Sequence, residues 1–421
     1  MTVIPPSIVR ETKPFPWAGL VVLAAAVFLS VTSEMIPTGL LPEMSSTLRV
    51  SQAQVGLLVT VFAFTVVITS TSLTALTRRF PRHVLIMAVL VVLAISNVLT
   101  AVAPDFGMVV LSRVIGGLAH GLFWSIVSAY AGHLVPKEQI GRAVSIVLGG
   151  GTLAFVFGVP LGTAGGHLFG WRLTFVLLAA LMLVGAALIW RYLPVVPRIA
   201  RPTRAKRRQR TRPPRDRTIG AVAIVCIVTA LIMIGHYTVY TYVAPFLIDQ
   251  MDAGSAAVAP LLFVYGIAGA IGLVIAGSVF GPRPTLGLVI AIVVTGISVT
   301  AMGLTTGILW LSIAAFFLWG LAFGMLPPLL QTRLLHTASA RIRDTASAFY
   351  TTAFNVGIGG GALLGAVVFE TIGLGYLPFV YVAILIVALV LLLAMRRRGR
   401  RRSRSVPTTG SVQVAEPANP A

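Results

Sequence analysis

Glu34, Arg113, His120, His236 and Asn355 each stand inside a long apolar run. An ionised side chain at the middle of a bilayer costs roughly 2.5–3.5 kcal/mol even on lenient scales, so each needs a reason to be there. A carboxyl whose surroundings alternate can load a proton on one side of a membrane and release it on the other. Burial disfavours its ionised form and a nearby guanidinium favours it. Glu34 and Arg113 suit that chemistry. Each lies about seven residues from the same end of its run, so at ~1.5 Å rise per residue their depths match. They can pair if their helices are neighbours, either as a proton carrier with its tuning cation or as a static pair that locks two helices. Arg113, Gly117, His120 or Gly121, and Trp124 recur at helical spacing and share one face. His236 and Tyr240 are four apart, with Tyr237 and Thr241 beside them. Aromatic faces and neutral hydrogen-bonding groups suit an uncharged, hydroxylated or partly apolar ligand. His120, Trp124, His236, Tyr240 and Asn355 are therefore the candidate cargo contacts, unless they only satisfy one another between helices. Glu34, His120 and His236 form no nucleophile–base pair or metal set by spacing. Cys226 is the single cysteine, which excludes an intramolecular disulfide and a cysteine metal cluster. No Gly-rich phosphate loop occurs either, so direct ATP drive is not expected; without a reactive constellation, neither a cofactor nor an enzyme is expected.

These groups must be positioned by membrane helices. Of 421 residues, 57% are hydrophobic and 10% charged, and the mean hydropathy is +0.95. A soluble protein carries about 25% charged residues. Apolar runs long enough to cross a bilayer recur at 17–41, 53–77, 84–104, 107–134, 142–167, 172–193, 219–248, 256–280, 285–304, 307–332, 345–371 and 375–395. They are too long for the ~10-residue alternating strands of a membrane barrel. The predicted fold is all-α, with twelve transmembrane helices. Sliding the chain by 203 residues lays Gly117-Leu118-Ala119-His120-Gly121 over Gly320-Leu321-Ala322-Phe323-Gly324, Gly158 and Gly162 over Gly361 and Gly365, and Pro42 over Pro245. That is an internal duplication. It predicts two pseudo-symmetric six-helix bundles, residues 17–193 and 219–395, facing one another around a central site with alternating exits. The offset places Tyr237 over Glu34 and Phe316 over Arg113, so the ionisable chemistry belongs to the first bundle.

Basic residues set the orientation. Cytoplasmic segments retain Lys and Arg. With both ends inside, all but Arg49, Arg113 and Arg172 of the 32 Lys and Arg fall in cytoplasmic segments. The outer loops hold Glu43, Asp105, Asp249 and Asp252. The first run leads into an amphipathic connection rather than a cleavage site, so it reads as a retained span. Trp17, Trp171, Trp190 and Trp310 lie near span ends, where an interfacial aromatic belt forms. The net charge of +21 is concentrated in a linker, residues 194–218, and in a tail, residues 396–421. Pro202, Pro213 and Pro214 interrupt the linker, and the tail reads as disordered. Both basic blocks lie beside the membrane, which points to anionic lipids of the inner leaflet and topological anchoring rather than to nucleic acid.

Span five carries Gly149-Gly150-Gly151 and then Gly158-Val159-Pro160-Leu161-Gly162. Span eleven carries Gly357, Gly359-Gly360-Gly361 and Gly365. Small residues four apart let helices approach closely, and Pro160 permits a kink. The expectation is that Gly158, Pro160, Gly162, Gly361 and Gly365 pack spans five and eleven against the opposite bundle, as the bearing on which the halves tilt.

The stretches Thr32-Ser33-Glu34-Met35-Ile36-Pro37-Thr38-Gly39-Leu40-Leu41-Pro42, His120-Gly121-Leu122-Phe123-Trp124-Ser125, Gly158-Val159-Pro160-Leu161-Gly162, Gly170-Trp171-Arg172-Leu173-Thr174-Phe175 and His236-Tyr237-Thr238-Val239-Tyr240-Thr241-Tyr242 resemble the major facilitator superfamily. More narrowly they resemble its twelve-span drug:proton antiporters, in the branch of bacterial sugar efflux transporters. The resemblance covers residues 17–395. Arg113 falls where that superfamily carries a span-four arginine tied to proton coupling, and Gly158 to Gly162 where its exporters carry a Gly-Pro signature. The loop Thr74-Ala75-Leu76-Thr77-Arg78-Arg79-Phe80-Pro81-Arg82-His83 departs from the family pattern, because Arg78 replaces an aspartate. The resemblance implies a monomeric, proton-coupled exporter of a small neutral or amphipathic molecule such as a sugar, in a bacterial plasma membrane. A drug exporter and an uptake symporter share the fold.

Overall fold

In the computed structural model the described residues, 15–195, 216, 218–305 and 308–404, are helical and contain no strand. Twelve helices are long and apolar enough to cross a membrane. Spans one to six are Trp17–Gly39, Gln52–Arg79, Arg82–Val102, Phe106–His133, Ile140–Phe169 and Trp171–Tyr192. Spans seven to twelve are Ile219–Tyr240, Ser255–Ser278, Pro284–Leu304, Leu309–Thr337, Thr345–Thr371 and Leu374–Met395. Local chemistry starts several of them. Ser51 closes a capping box with Gln54 at span two, and Asp105 accepts from the Met108 N–H at span four. Gly170, at φ +85°, turns the chain from span five into span six, a backbone region that glycine enters without strain. The outward surface carries Ile68, Leu168, Val274 and Ile297, each more than half exposed, as hydrocarbon solvent requires.

The duplication is visible in the packing. Span one rests on spans five and six, span two on four, and span three on four and six. Span seven rests on eleven and twelve, span eight on ten, and span nine on ten and twelve, so each neighbour pair is its counterpart shifted by six spans. The halves meet where span two touches span eleven and span five touches span eight. Most of the basic residues lie at one end of the spans, called here the basic end; the other is the far end.

The glycine stripes do not do what their spacing suggested. A side chain at Gly158 would strike Thr32, and one at Gly162 would strike Ile36, both in span one of the same half. Gly361 and Gly365 lie against the span-seven backbone at Ile234 and Thr238, again within one half. Glycine permits the tightest approach, and the tightest approaches are inside the bundles. The halves touch through other faces: Gly266 of span eight lies on the backbone of Phe155 and Val156, and Gly359 faces Ala63 and Phe64 of span two. Pro160 has no N–H for the carbonyl of Val156, and the preceding turn, Ala154–Gly158, widens into a π-helix.

Three further expectations are corrected. Trp171 stands at the first residue of span six, but its ring packs inside the protein rather than facing outward, with the Arg172 guanidinium 4.2 Å from its ring centre. Span one ends as a helix at Met35 and continues as the 3₁₀ turn Ile36–Gly39, because Pro37 interrupts the ladder. The last helix runs on through Arg404, so residues 396–404 of the expected disordered tail are helical backbone. Residues 1–14, most of the linker (196–215 and 217), 306–307 and 405–421 lie outside the described residues.

Asp216 ties the start of span seven to the loop before span eleven. It accepts hydrogen bonds from the hydroxyls of Thr218 and Ser339 and from the Thr218 N–H, and Arg341 lies 3.8 Å away. The Ser339 bond, then those of Thr218, hold its carboxyl below the ordinary 3.8, at about 2. A depressed carboxyl stabilises the fold above its ordinary value, and the effect is lost as pH falls through the folded value. Asp216→Asn is thus expected to melt at lower temperature than wild type at pH 7, the gap closing between pH 3.8 and about 2.

Candidate functional site

Two pseudo-equivalent clusters face the centre, one in each half. The first is built on the broken end of span one. Pro37 lacks an N–H, so the carbonyl of Ser33 loses its helical partner. Arg113 supplies the missing donors. Its Nη1 donates to Ser33 O at 2.9 Å and its Nη2 to Glu34 O at 2.8 Å. Phe62 lies under the guanidinium, 4.4 Å from ring centre to Cζ. Arg113 is 1% exposed, so this bracing takes place away from water. The expected Glu34–Arg113 ion pair is therefore replaced: the arginine binds the backbone that carries Glu34, not its carboxylate.

The Glu34 carboxyl turns to His120. Oε2 lies 3.4 Å from His120 Nε2, while Oε1 is buried without a hydrogen-bond partner. The Trp124 indole N–H donates to the same Nε2 at 2.6 Å, and His120 Nδ1 lies 2.8 Å from Ser30 Oγ. A ring nitrogen that receives an indole proton carries none of its own, so neutral His120 has its hydrogen on Nδ1, facing Ser30. Ser33 Oγ donates to Asn97 Oδ1 at 3.0 Å and fixes the neighbouring turn. His120 and Trp124, predicted among the cargo contacts, thus sit in the ionisable cluster, one helical turn apart and leading from Glu34 towards the basic end.

The second cluster is aromatic. His236, 0% exposed, is surrounded by Tyr237, Tyr240, Tyr265, Trp319, Phe323 and Tyr381, with ring centres 3.4–6.4 Å away. Both of its ring nitrogens lack a partner, as does the Tyr265 hydroxyl. No member is ionised at neutral pH in its ordinary form. His236 and Tyr240, both candidate cargo contacts by sequence, belong to this cluster. Asn355 is not: its Nδ2 donates to Thr351 O at 3.0 Å on its own helix, nearer the basic end. Tyr265, Trp319, Phe323 and Tyr381 escaped the sequence reading. The 203-residue offset carried a signal for two of them, since it lays Tyr265 over Phe62 and Phe323 over His120.

The far end is shut. Residues 29–41 and 239–247 are buried throughout. Tyr242 crosses between the halves, its hydroxyl donating to Ala362 O at 2.8 Å and lying 3.5 Å from Ala53 O. Its ring fills the space that a side chain at Gly56 would take. Ser51 Oγ donates to Glu370 Oε1 at 2.8 Å, and at mid-height Thr60 Oγ1 donates to Gly359 O at 3.1 Å. Towards the basic end exposure rises on both interface helices, at Thr71, Ser72, Thr351 and Thr352. No cross-half side-chain hydrogen bond is found among these four residues.

The family model for the Major Facilitator Superfamily matches residues 23–359 and 225–419. A probable sugar efflux transporter of Helicobacter pylori (strain ATCC 700392 / 26695) is 30% identical over 371 residues, covering 88% of this chain and 93% of its own. One of Mannheimia succiniciproducens is 29% identical over 361 residues, covering 86% and 89%. Among solved structures, a bacterial homologue of the human lysosomal transporter Spinster, inward-facing and occupied, aligns with TM-score 0.69 at 19% identity, covering 92% of this chain and 98% of that one. The POT family transporter PepTSo aligns with TM-score 0.73 at 12% identity, covering 93% and 99%.

Proposed function

The chain belongs to the major facilitator superfamily, a family of membrane transporters rather than enzymes, and from that premise we propose that it exports a small neutral sugar in exchange for protons. Sugar efflux is the activity named for the relatives above. The observation that carries the reading is the division of labour between the clusters: one holds a single buried carboxyl with a histidine, the other a set of uncharged rings with unpaired polar atoms.

In this reading residues 17–193 and 219–395 tilt as two bundles, tethered by residues 194–218. The basic end faces the cytoplasm of a bacterial cell, with both termini inside and basic segments against anionic lipid. Cargo enters from that side and stacks among His236, Tyr240 and Trp319, since ring faces hold a sugar's C–H surface while its hydroxyls bond the unpaired nitrogens and hydroxyl. Glu34 holds the coupling proton. With the indole donating to His120 Nε2, an ionised carboxylate at 3.4 Å would face a lone pair, so the arrangement suits a proton on Glu34. When the far end opens, Glu34 takes a proton from outside as cargo leaves. When the basic end opens, the proton passes inward by way of His120. Arg113 keeps the Glu34 turn in place throughout.

The test is transport in inverted vesicles under an imposed pH gradient, with a panel of sugars, nucleosides and antibiotics. Gradient-driven uptake of a monosaccharide, abolished by a protonophore, is the expected result. Movement of antibiotics alone would make the chain a drug exporter, and accumulation in energised right-side-out cells would make it an uptake system.

A further inference from the structure

Phe323 lies face to face with His236, with ring centres 3.4 Å apart and planes within 6°. It is the only ring of the cluster that is not fully buried, so it forms the wall on the accessible side. Behind it are buried polar atoms without hydrogen-bond partners, among them Nδ1 and Nε2 of His236 and the hydroxyl of Tyr265. Buried polar groups are nearly always paired, so several unpaired ones behind one ring indicate a partner that comes and goes. A neutral imidazole offers one donor and one acceptor, and a phenol offers either. That set matches hydroxyl groups, which both give and receive.

The helix beneath Phe323 lacks two of its ladder hydrogen bonds. Pro327 and Pro328 stand inside span ten and supply no N–H to the carbonyls of Phe323 and Gly324, four residues earlier. The Tyr350 hydroxyl donates to Pro327 O at 2.8 Å and anchors the break on span eleven. On the other side of the turn Gly324 lies directly on the backbone of Gly269 in span eight, a contact with no room for any side chain. The turn that carries Phe323 thus has a fixed pivot at one edge and missing hydrogen bonds at the other.

We propose that Phe323 is a displaceable lid that holds the stacking place of a cargo ring on His236. A neutral, hydroxyl-bearing ring takes its place in the stack and pairs the nitrogens of His236 and the hydroxyl of Tyr265. The cluster contains no ionised side chain, which selects against charged rings. This inference rests on the cargo assignment above and adds the residue that competes with the cargo.

The test is binding of a panel of methyl glycosides to the purified full-length protein in detergent, read by tryptophan fluorescence, Trp319 being in the cluster, and by thermal shift. Phe323→Ala removes the competitor and is expected to bind about 3–10-fold tighter, the range of one aromatic contact. Phe323→Leu, which keeps the volume and loses the stack, is expected to lie between. His236→Phe keeps the ring and loses both nitrogens; about 10-fold weaker binding is expected in either background. Unchanged or weaker binding by both Phe323 variants, at wild-type melting temperature, would overturn the lid. Absence of glycoside binding by every protein would overturn the sugar-ring assignment. Proton-driven sugar export with no effect at Phe323 would leave the exporter standing and remove the lid. A tighter Phe323→Ala without proton-driven transport would do the reverse.

Discussion

Glu34→Gln is expected to abolish gradient-driven export while leaving cargo binding measurable. One proton exchanged for one neutral molecule moves one charge, worth ~2.3 kcal/mol per 100 mV. At 1.4 kcal/mol per tenfold that sustains a concentration ratio of about 50. The glutamine keeps the size and hydrogen-bonding shape of the protonated carboxyl, so the fold near His120 should persist. Without an exchangeable proton the vesicle ratio should fall towards one, and the variant should still show cargo-induced thermal stabilisation. Wild-type accumulation by Glu34→Gln under an imposed gradient would remove Glu34 from the proton path.

Arg113→Met is expected to be the most damaging single change to stability. It strips the donors from two buried carbonyls, Ser33 O and Glu34 O, and each bare carbonyl costs about 1–3 kcal/mol. The contact with Phe62 is lost as well. A simple ion pair would make Glu34→Gln and Arg113→Met similarly harmful, since each would leave the other charge buried alone. Bracing of the backbone predicts otherwise. Melting of the purified protein should drop sharply for Arg113→Met and little for Glu34→Gln. Equal drops would restore the ion-pair account.

How far the sequence could be read follows from the range of each interaction. Apolar run length is a local property, and the twelve spans appear close to where the hydropathy puts them. The duplication is equally plain, because one offset lines up glycines and prolines whose packing roles recur in both halves. Glu34 and Arg113 stood out for being ionisable in apolar surroundings. Their relation did not, because it depends on a third residue: Pro37 removes a backbone donor and so redirects the arginine from the carboxylate to the main chain. The glycine stripes at 158–162 and 361–365 were misassigned for a different reason. Spacing says that a helix face is smooth, but not which neighbour presses on it. The aromatic cluster was half seen. His236 and Tyr240 carry polar atoms and drew notice, whereas Trp319 and Phe323 are indistinguishable in composition from residues that face lipid. Only their ring-to-ring arrangement around His236 separates them from bulk.

Tyr242 at the far side and Thr60 at mid-height reach across the halves to main-chain carbonyl oxygens, those of Ala53 and Gly359. A main-chain oxygen is present whichever residue occupies the position. The shutter is therefore largely blind to mutation of the helices it grips, provided small residues keep the gap. Cargo preference can drift through the lining of the central chamber while the mechanics of shutting stay constant, which is one physical route by which a single scaffold comes to serve many substrates.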